Sequence, residues 1–308
     1  MKLTERKYVK VVRENGIAWT YLNRPEKKNA MSPPLHVEMA ATLDELEADP
    51  ETKVVVIAGV GGIFSAGQDL KEFFRALENN PAEAKRIRLL SNHWQWDRLY
   101  MFDKPTIAMV EGYCVGGAFS HLLATDFAIT ANDTTFSLSE VNWGILPGGM
   151  VSKAFADAVL LRHAIYYAST GDAFDGKEAA RIGIVNFSVP KTRLKAEVTR
   201  LAEKLMSKSP KALRASKQVI RMVRQMGFVE AADYMQEKKV AIQVGDADQS
   251  YQAGLHHFLD AKTYKPVYAS FKEGEAKAAV KAGAKAGAKA GKSKRTRKPV
   301  GSEPGAKG

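Results

Sequence analysis

Cysteine is nearly absent from this chain. One residue, Cys114, in 308 excludes an intrachain disulfide and suits a reducing compartment, so the expected localisation is cytoplasmic. Long apolar runs are also missing. No stretch approaches the roughly 18 uncharged apolar residues of a membrane span. The charged start MKLTERKYVK has no apolar run behind it, so no secretory leader is expected. The six histidines and Cys114 show no metal-ligand spacing, and no metal is expected. Acidic residues run short at one end only. The net charge is +12, but residues 277–308 hold ten Lys/Arg against one Glu, which leaves +3 for the first 276 residues. The body is close to balanced and the basicity belongs to the tail.

What is present is an ordinary globular composition, 45% hydrophobic and 26% charged, long enough to bury a large core. Residues 8–22 read as two short strands joined at Glu14-Asn15-Gly16. Leu35, Met39, Leu43 and Leu46 recur at helical spacing after a Ser-Pro-Pro start. Residues 53–58 (KVVVIA) and 106–110 (TIAMV) are continuous apolar runs, as in strands buried on both faces. Each leads through a Gly-rich loop towards a helical pattern. Short strands follow at 127–130 and 135–138, then helical stretches at 160–169, 177–182 and 193–208, and residues 210–262 read as all helix. Strands alternating with helices indicate the α/β class. From Glu275 on, Lys alternates with Ala and Gly and almost no large apolar side chain remains, a composition that leaves a segment disordered.

Two loop-to-helix junctions could carry chemistry. One is Ser65-Ala66-Gly67-Gln68-Asp69-Leu70, the other Val115-Gly116-Gly117-Ala118-Phe119-Ser120. Each leaves backbone N–H groups unpaired at a helix start. Two such groups aimed at one carbonyl oxygen form an oxyanion hole, which stabilises an enolate or a tetrahedral anion. Either turn alone is more often a tight connection.

The order NRPEKKNAM, SAGQDL, GYCVGGAFSHLLATD, TFSLSEVNWGILPGG resembles the crotonase (enoyl-CoA hydratase/isomerase) superfamily over roughly residues 8–270. The resemblance implies a spiral of β-β-α repeats with a C-terminal helical trimerisation region. It divides the chain into a core at 1–205, a helical oligomerisation region at 206–272 and the basic tail at 273–308. It makes the amides of Gln68 and Gly117 the holders of a thioester oxygen. It assigns coenzyme A contacts to Lys28, Ala30, Ala66, Gln68, Asp69, Leu70, Phe258 and Lys262. Coenzyme A would be part of the substrate and no separate cofactor is implied. The implied assembly is a homo-oligomer, a trimer or a pair of trimers.

Typical enoyl-CoA hydratases carry two glutamates. Here one position is Ser120 and the other is Glu140, which puts simple two-Glu hydration in doubt. A single acid, Ser120, the WQW of residues 94–96 and the run Glu140–Gly144 resemble the hydroxycinnamoyl-CoA hydratase-lyases. That resemblance implies hydration of feruloyl- or 4-coumaroyl-CoA and retro-aldol cleavage to an aromatic aldehyde (vanillin from the feruloyl thioester) and acetyl-CoA. Glu140 would be the acid–base and Ser120 a small neutral neighbour. Trp143 and Gly144 would line the substrate, and Tyr234 would grip the phenol. The second phenol-gripping position holds Phe73, a departure that keeps open hydration or isomerisation of another acyl-CoA. The tail keeps open a nucleic-acid-binding homologue. His93 and His121 are the histidines expected near the site, with His121 pointing away from Ser120.

The plain reading of the tail is a solvated segment; its functional reading is non-specific contact with an anion or nucleic acid. Deleting residues 275–308 is expected to leave turnover and assembly unchanged, as measured by steady-state assay and light scattering. Any nucleic-acid binding should fall steeply with salt; sequence-selective or salt-insensitive binding would contradict this.

Overall fold

The structure, a computed structural model, describes residues 3–244 and 249–267. The expected disordered tail at 273–308 lies outside the described residues. Two compact units divide between Lys239 and Val240.

The first unit is built on a six-stranded sheet. The strands are β1 (Val9–Glu14), β2 (Ile17–Leu22), β3 (Val54–Gly59), β4 (Thr106–Val110), β6 (Phe127–Ala131) and β8 (Phe187–Val189), in the spatial order β1-β2-β3-β4-β6-β8. Only the β1–β2 hairpin is antiparallel. Its turn residues, Asn15 and Gly16, both have positive φ, the form whose twist matches the flanking strands. A second, two-stranded parallel sheet pairs β5 (Tyr113–Val115) with β7 (Thr135–Ser137).

Helices cover both faces of the main sheet, which is why β3 and β4 are continuous apolar runs. Alternate residues serve opposite faces. Val55, Ile57, Ala108 and Val110 share one core with Leu35, Met39, Leu43 and Leu46 of α1 (Pro33–Ala48). Val54, Val56, Ile107 and Met109 share another with Leu194, Val198, Ala202 and Leu205 of α7 (Leu194–Met206). Each large side chain buried in this way contributes roughly 1.5–3 kcal/mol. The remaining helices of the unit are α2 (Pro81–Asn92), α3 (Ala118–Ala124), α4 (Val151–Ala158), α5 (Leu161–Thr170), α6 (Gly176–Ile182) and α8 (Pro210–Val223).

Among the described residues the expected strands and helices are present, with two differences. After Gln68 there is no long helix. A five-residue turn, Leu70–Phe74, and a shorter one, Arg75–Leu77, precede α2. The stretch expected to be all helix is also divided: α8 ends at Val223, and α9 (Phe228–Val244) starts after Gly227, a residue that favours interruption. The second unit holds the end of α9, α10 (Ser250–Leu255) and a turn at His256–Asp260. No described helix is long and apolar enough to cross a membrane.

Charge fastens α8 to the first unit. Asp126, with 5% of its side chain exposed, faces Lys217 Nζ at 2.7 Å and Arg221 Nη2 at 2.9 Å. The lysine contact is an aligned hydrogen bond to Oδ2, and the same oxygen accepts from the Thr106 backbone N–H. Arg221 also lies 4.1 Å from the centre of the Tyr100 ring. Asp126→Ala leaves two half-buried cations without their counter-charge. It is expected to cost about 3–5 kcal/mol in chemical denaturation; an unchanged midpoint would show that α8 is held by packing alone.

Candidate active site

The two Gly-rich junctions meet through hydrogen bonds that use up the amides around the expected pair. Gly67 N–H donates to Ser65 Oγ and Asp69 N–H to the Met31 carbonyl. Gly116 N–H donates to the Ser137 carbonyl at 3.0 Å. Ser65 N–H donates to Tyr113 O, and Val115 N–H returns to Ser65 O, so the two loops are sewn together. Among the described residues the amides of Gln68 and Gly117 have no acceptor. The two amides are neighbours in space: a Cβ added to Gly117 would stand 3.4 Å from Gln68 N. Two neighbouring amides without an acceptor are the parts from which an oxyanion hole is built.

These amides open on a cavity of about 320 Å³. Glu140, Ser120, Phe73, Phe74, Trp143 and Gln68 are among its lining. Glu140 lies in the first turn of a short helical segment, Ser139–Trp143, and is 7% exposed. Its Oε1 lies 2.9 Å from where a Cβ on Gly116 would be, and its Oε2 is buried without a partner among the described residues. Burial pushes the Glu140 carboxyl up from the ordinary range, opposed by a hydrogen bond from its own backbone. Among the described residues, Glu140 is the only carboxylate lining the cavity. Ser120, on the first turn of α3, shares the lining. Phe73 and Phe74 meet edge to face at 5.2 Å, and Phe74 meets Trp143 at 6.2 Å, which makes one wall aromatic.

The other expected residues fall in several places. Ala66 and Leu70 line the cavity, and Ala66 N–H donates to the Lys28 carbonyl, which brings residues 28–30 to this edge. Lys28 Nζ lies over the Tyr113 ring at 5.0 Å. The Ala30 carbonyl accepts from Arg24 Nη1. Asp69 has structural work: it caps the turn through Lys71 and Glu72 N–H and pairs with Arg24 at 3.0 Å. Gly144 ends the turn after Glu140 with φ +84 and does not line the cavity. Tyr234 lies on α9 with Lys238 Nζ 5.4 Å from its ring, and it too is absent from the lining of this single chain. Phe258 and Lys262 belong to the second unit, where both are exposed.

Sequence reasoning missed His36. It is fully buried and bonds Gln68 Oε1 through Nε2 at 2.8 Å. A polar residue on the apolar stripe of α1 was the available signal. His93, expected nearby, pairs with Asp97 at an exposed site. His121 does point away from the cavity, stacked on Phe64 at 4.8 Å and 5.7 Å from Trp94.

The chain is matched over residues 12–270 by the family model described as "Enoyl-CoA hydratase/isomerase". It is 46% identical to the hydroxycinnamoyl-CoA hydratase-lyase of Pseudomonas fluorescens over 267 residues, 86% of this chain and 97% of that one. It is 33% identical to a putative enoyl-CoA hydratase of Thermus thermophilus, covering 70% of this chain and 85% of that one. Among solved structures, an enoyl-CoA hydratase from Bacillus anthracis superposes with a TM-score of 0.75 at 26% identity, covering 82% of this chain and 95% of that one. One from Geobacillus kaustophilus gives 0.75 at 28%, covering 84% and 96%.

The two buried histidines make the fold sensitive to acid. Burial pushes His36 down to about 4, against the hydrogen bond it donates to Gln68, and His121 down to about 3, with His36 adding to the effect. Both are neutral when folded, while an unfolded chain takes up a proton on each below about pH 6.5. Stability is therefore expected to fall as pH drops from about 6.5 towards 4, by up to about 1.4 kcal/mol per pH unit for each histidine. Both nitrogens of His121 lack a partner among the described residues. His121→Phe should leave stability at pH 7 equal or higher and make the acid slope shallower in urea unfolding. An unchanged slope would remove His121 from this account.

Proposed function

The chain belongs to the enoyl-CoA hydratase/isomerase family, and from that premise we propose that it hydrates a 4-hydroxycinnamoyl-CoA thioester, such as feruloyl- or 4-coumaroyl-CoA, and cleaves the product to an aromatic aldehyde and acetyl-CoA. The observation that carries this reading is the single carboxylate, Glu140, in a cavity that also holds the Gln68 and Gly117 amides, Ser120 and an aromatic wall. The 46% identical relative named a hydroxycinnamoyl-CoA hydratase-lyase supports the same substrate class.

The steps follow from the parts. The thioester oxygen accepts hydrogen bonds from the two amides, which draws electron density from Cβ. Glu140 removes a proton from water as the oxygen adds to Cβ, and returns that proton to Cα. In the second half Glu140 takes the proton of the β-hydroxyl. The Cα–Cβ bond then breaks, the β-carbon leaves as the aldehyde, and the electron pair remains as the acetyl-CoA enolate, held by the same amides. The protonated Glu140 delivers its proton to Cα, and the enzyme is restored. A carboxyl raised by burial holds and releases a proton nearer neutral pH, which suits both halves. Coenzyme A enters and leaves as part of substrate and product, with no separate cofactor in this reading.

Assembly into a trimer or a pair of trimers is part of the proposal. None of the described α9 side chains is buried, and Phe228 and Val229 on it are 90% and 68% exposed. A second reading, hydration of a non-phenolic acyl-CoA without cleavage, draws on Phe73. Its ring faces His36 edge-on at 5.4 Å and offers no hydroxyl.

Incubation with feruloyl-CoA, 4-coumaroyl-CoA and crotonyl-CoA, followed by product analysis, separates the two. Aldehyde and acetyl-CoA are expected from the first two. Glu140→Gln should fold, still bind thioester, and lose both hydration and cleavage by about 10²–10⁴-fold, whereas Ser120→Ala should lose far less. Equal losses would place the proton path on α3. If Tyr234 grips the phenol in the assembly, Tyr234→Phe should cost roughly 1.5–3 kcal/mol on para-hydroxylated substrates alone.

A further inference from the structure

Gln68 brings more to the cavity than its backbone. Its side-chain amide ends a chain of buried polar groups whose donor directions can be deduced. The Trp94 indole N–H can only donate, and it lies 2.8 Å from His36 Nδ1. Nδ1 is therefore the bare nitrogen, and the neutral ring carries its proton on Nε2. That nitrogen is 2.8 Å from Gln68 Oε1, so the histidine donates and the amide oxygen accepts. Turning the amide over would set N–H against N–H. Gln68 Nε2 is thereby fixed on the other side, where it donates to Ser91 Oγ at 3.3 Å. Ser91 is held in turn by Gln95 Nε2, which donates to its Oγ at 2.7 Å and to its carbonyl at 2.9 Å. His36, Trp94, Ser91 and Gln95 are all buried.

A primary amide nitrogen has two hydrogens. Ser91 receives one, and among the described residues the other has no acceptor. Gln68 lines the cavity. Its Nε2 would be 3.5 Å from a Cβ on Gly117, almost the same as the 3.4 Å of its backbone N. Side-chain and backbone nitrogens of Gln68 thus stand at similar distances from one side of Gly117. We propose that the Gln68 carboxamide is a third hydrogen-bond donor to the thioester oxygen, and that His36 is the positioning residue that aims it. The enolate gains a donor that is already oriented before charge develops, so little reorganisation accompanies the reaction. The inference rests on reading the cavity as a thioester site and is independent of whether cleavage follows hydration.

Gln68→Met keeps the backbone N–H and the length of the side chain and removes the amide. His36→Leu removes the donor to Gln68, and His36→Gln places an amide near the position of Nε2. His36→Leu also removes the acceptor of the Trp94 N–H, whereas the carbonyl of His36→Gln can still accept. The first readout is the absorption band of bound 4-(dimethylamino)cinnamoyl-CoA, which moves to longer wavelength as its carbonyl is polarised and needs no turnover. The second is kcat and KM on the thioester that is hydrated. Gln68→Met is expected to reduce the band shift and lower kcat roughly 10- to 100-fold, with KM changed no more than about threefold. His36→Leu should do the same in the wild-type background and nothing further in Gln68→Met, and His36→Gln should recover most of the loss.

A Gln68→Met protein with the wild-type band shift and kcat would overturn the third donor. A His36→Leu loss of equal size in both backgrounds would make His36 a packing residue and overturn its positioning role. Should His36→Leu fail to fold, Gln68→Met and His36→Gln decide the matter by themselves. If the band shifts follow the expected pattern while no aldehyde forms, the cleavage reading falls and this inference stands.

Discussion

The site depends on one close approach of backbone to backbone. The loop at Gly67-Gln68 and the loop at Gly116-Gly117 come so near that a Cβ on Gly67 would stand 2.6 Å from the Val115 carbonyl. No side chain fits there, and the hydrogen bonds between Ser65, Tyr113 and Val115 hold the loops at that separation. Because the amides on either side of Gln68, and that of Gly116, are already occupied, the remaining pair is left free by construction. Gln68 and Gly117 are only partly buried and face the cavity. Their amides are thus oriented in advance as donors that a thioester oxygen would use.

Burial acts on Glu140, His36 and His121 in a direction that depends on the sign of the charge. It raises Glu140, an acid, and lowers His36 and His121, which are bases. All three are pushed towards their neutral forms. For Glu140 this creates a carboxyl suited to both accepting and giving a proton. For His36 it fixes a single tautomer between Trp94 and Gln68. The charges that stay paired do structural work instead. Arg24 joins Asp69 and Glu72 beneath the loop at 3.0 and 2.8 Å, and Asp126 holds α8.

Much of the framework was legible beforehand because burial on two faces leaves a plain record. Residues 54–58 and 107–110 are apolar throughout because both faces of their strands are covered. The 4-4-3 spacing of Leu35, Met39, Leu43 and Leu46 can serve only a helix with one buried stripe. The turn at Leu70–Phe74 was less legible. Its Asp69 cap is local, but the Arg24–Asp69 pairing that holds it is a contact across 45 residues of chain, which no local pattern carries. Ser91 and Gln95 carry no signal in the sequence; the fold buries both and brings Ser91 to Gln68.

The sequence by itself determined the α/β class, strands β1 to β4, β6 and β7, helix α1 and the two Gly-rich junctions. These are consequences of periodicity and residue type along a short window, whereas Glu140 as a lone acid was picked out by the resemblance to the hydratase family. Only the tertiary structure decided which amides remain unpaired and how the His36–Gln68–Ser91 chain is directed. It also decided that Tyr234 and Gly144 stand outside the cavity of the single chain while Phe73 lines it. Those facts depend on hydrogen-bond partners and burial supplied by segments far apart in the chain. A side chain's partners are set by packing in three dimensions, and no local spacing specifies them.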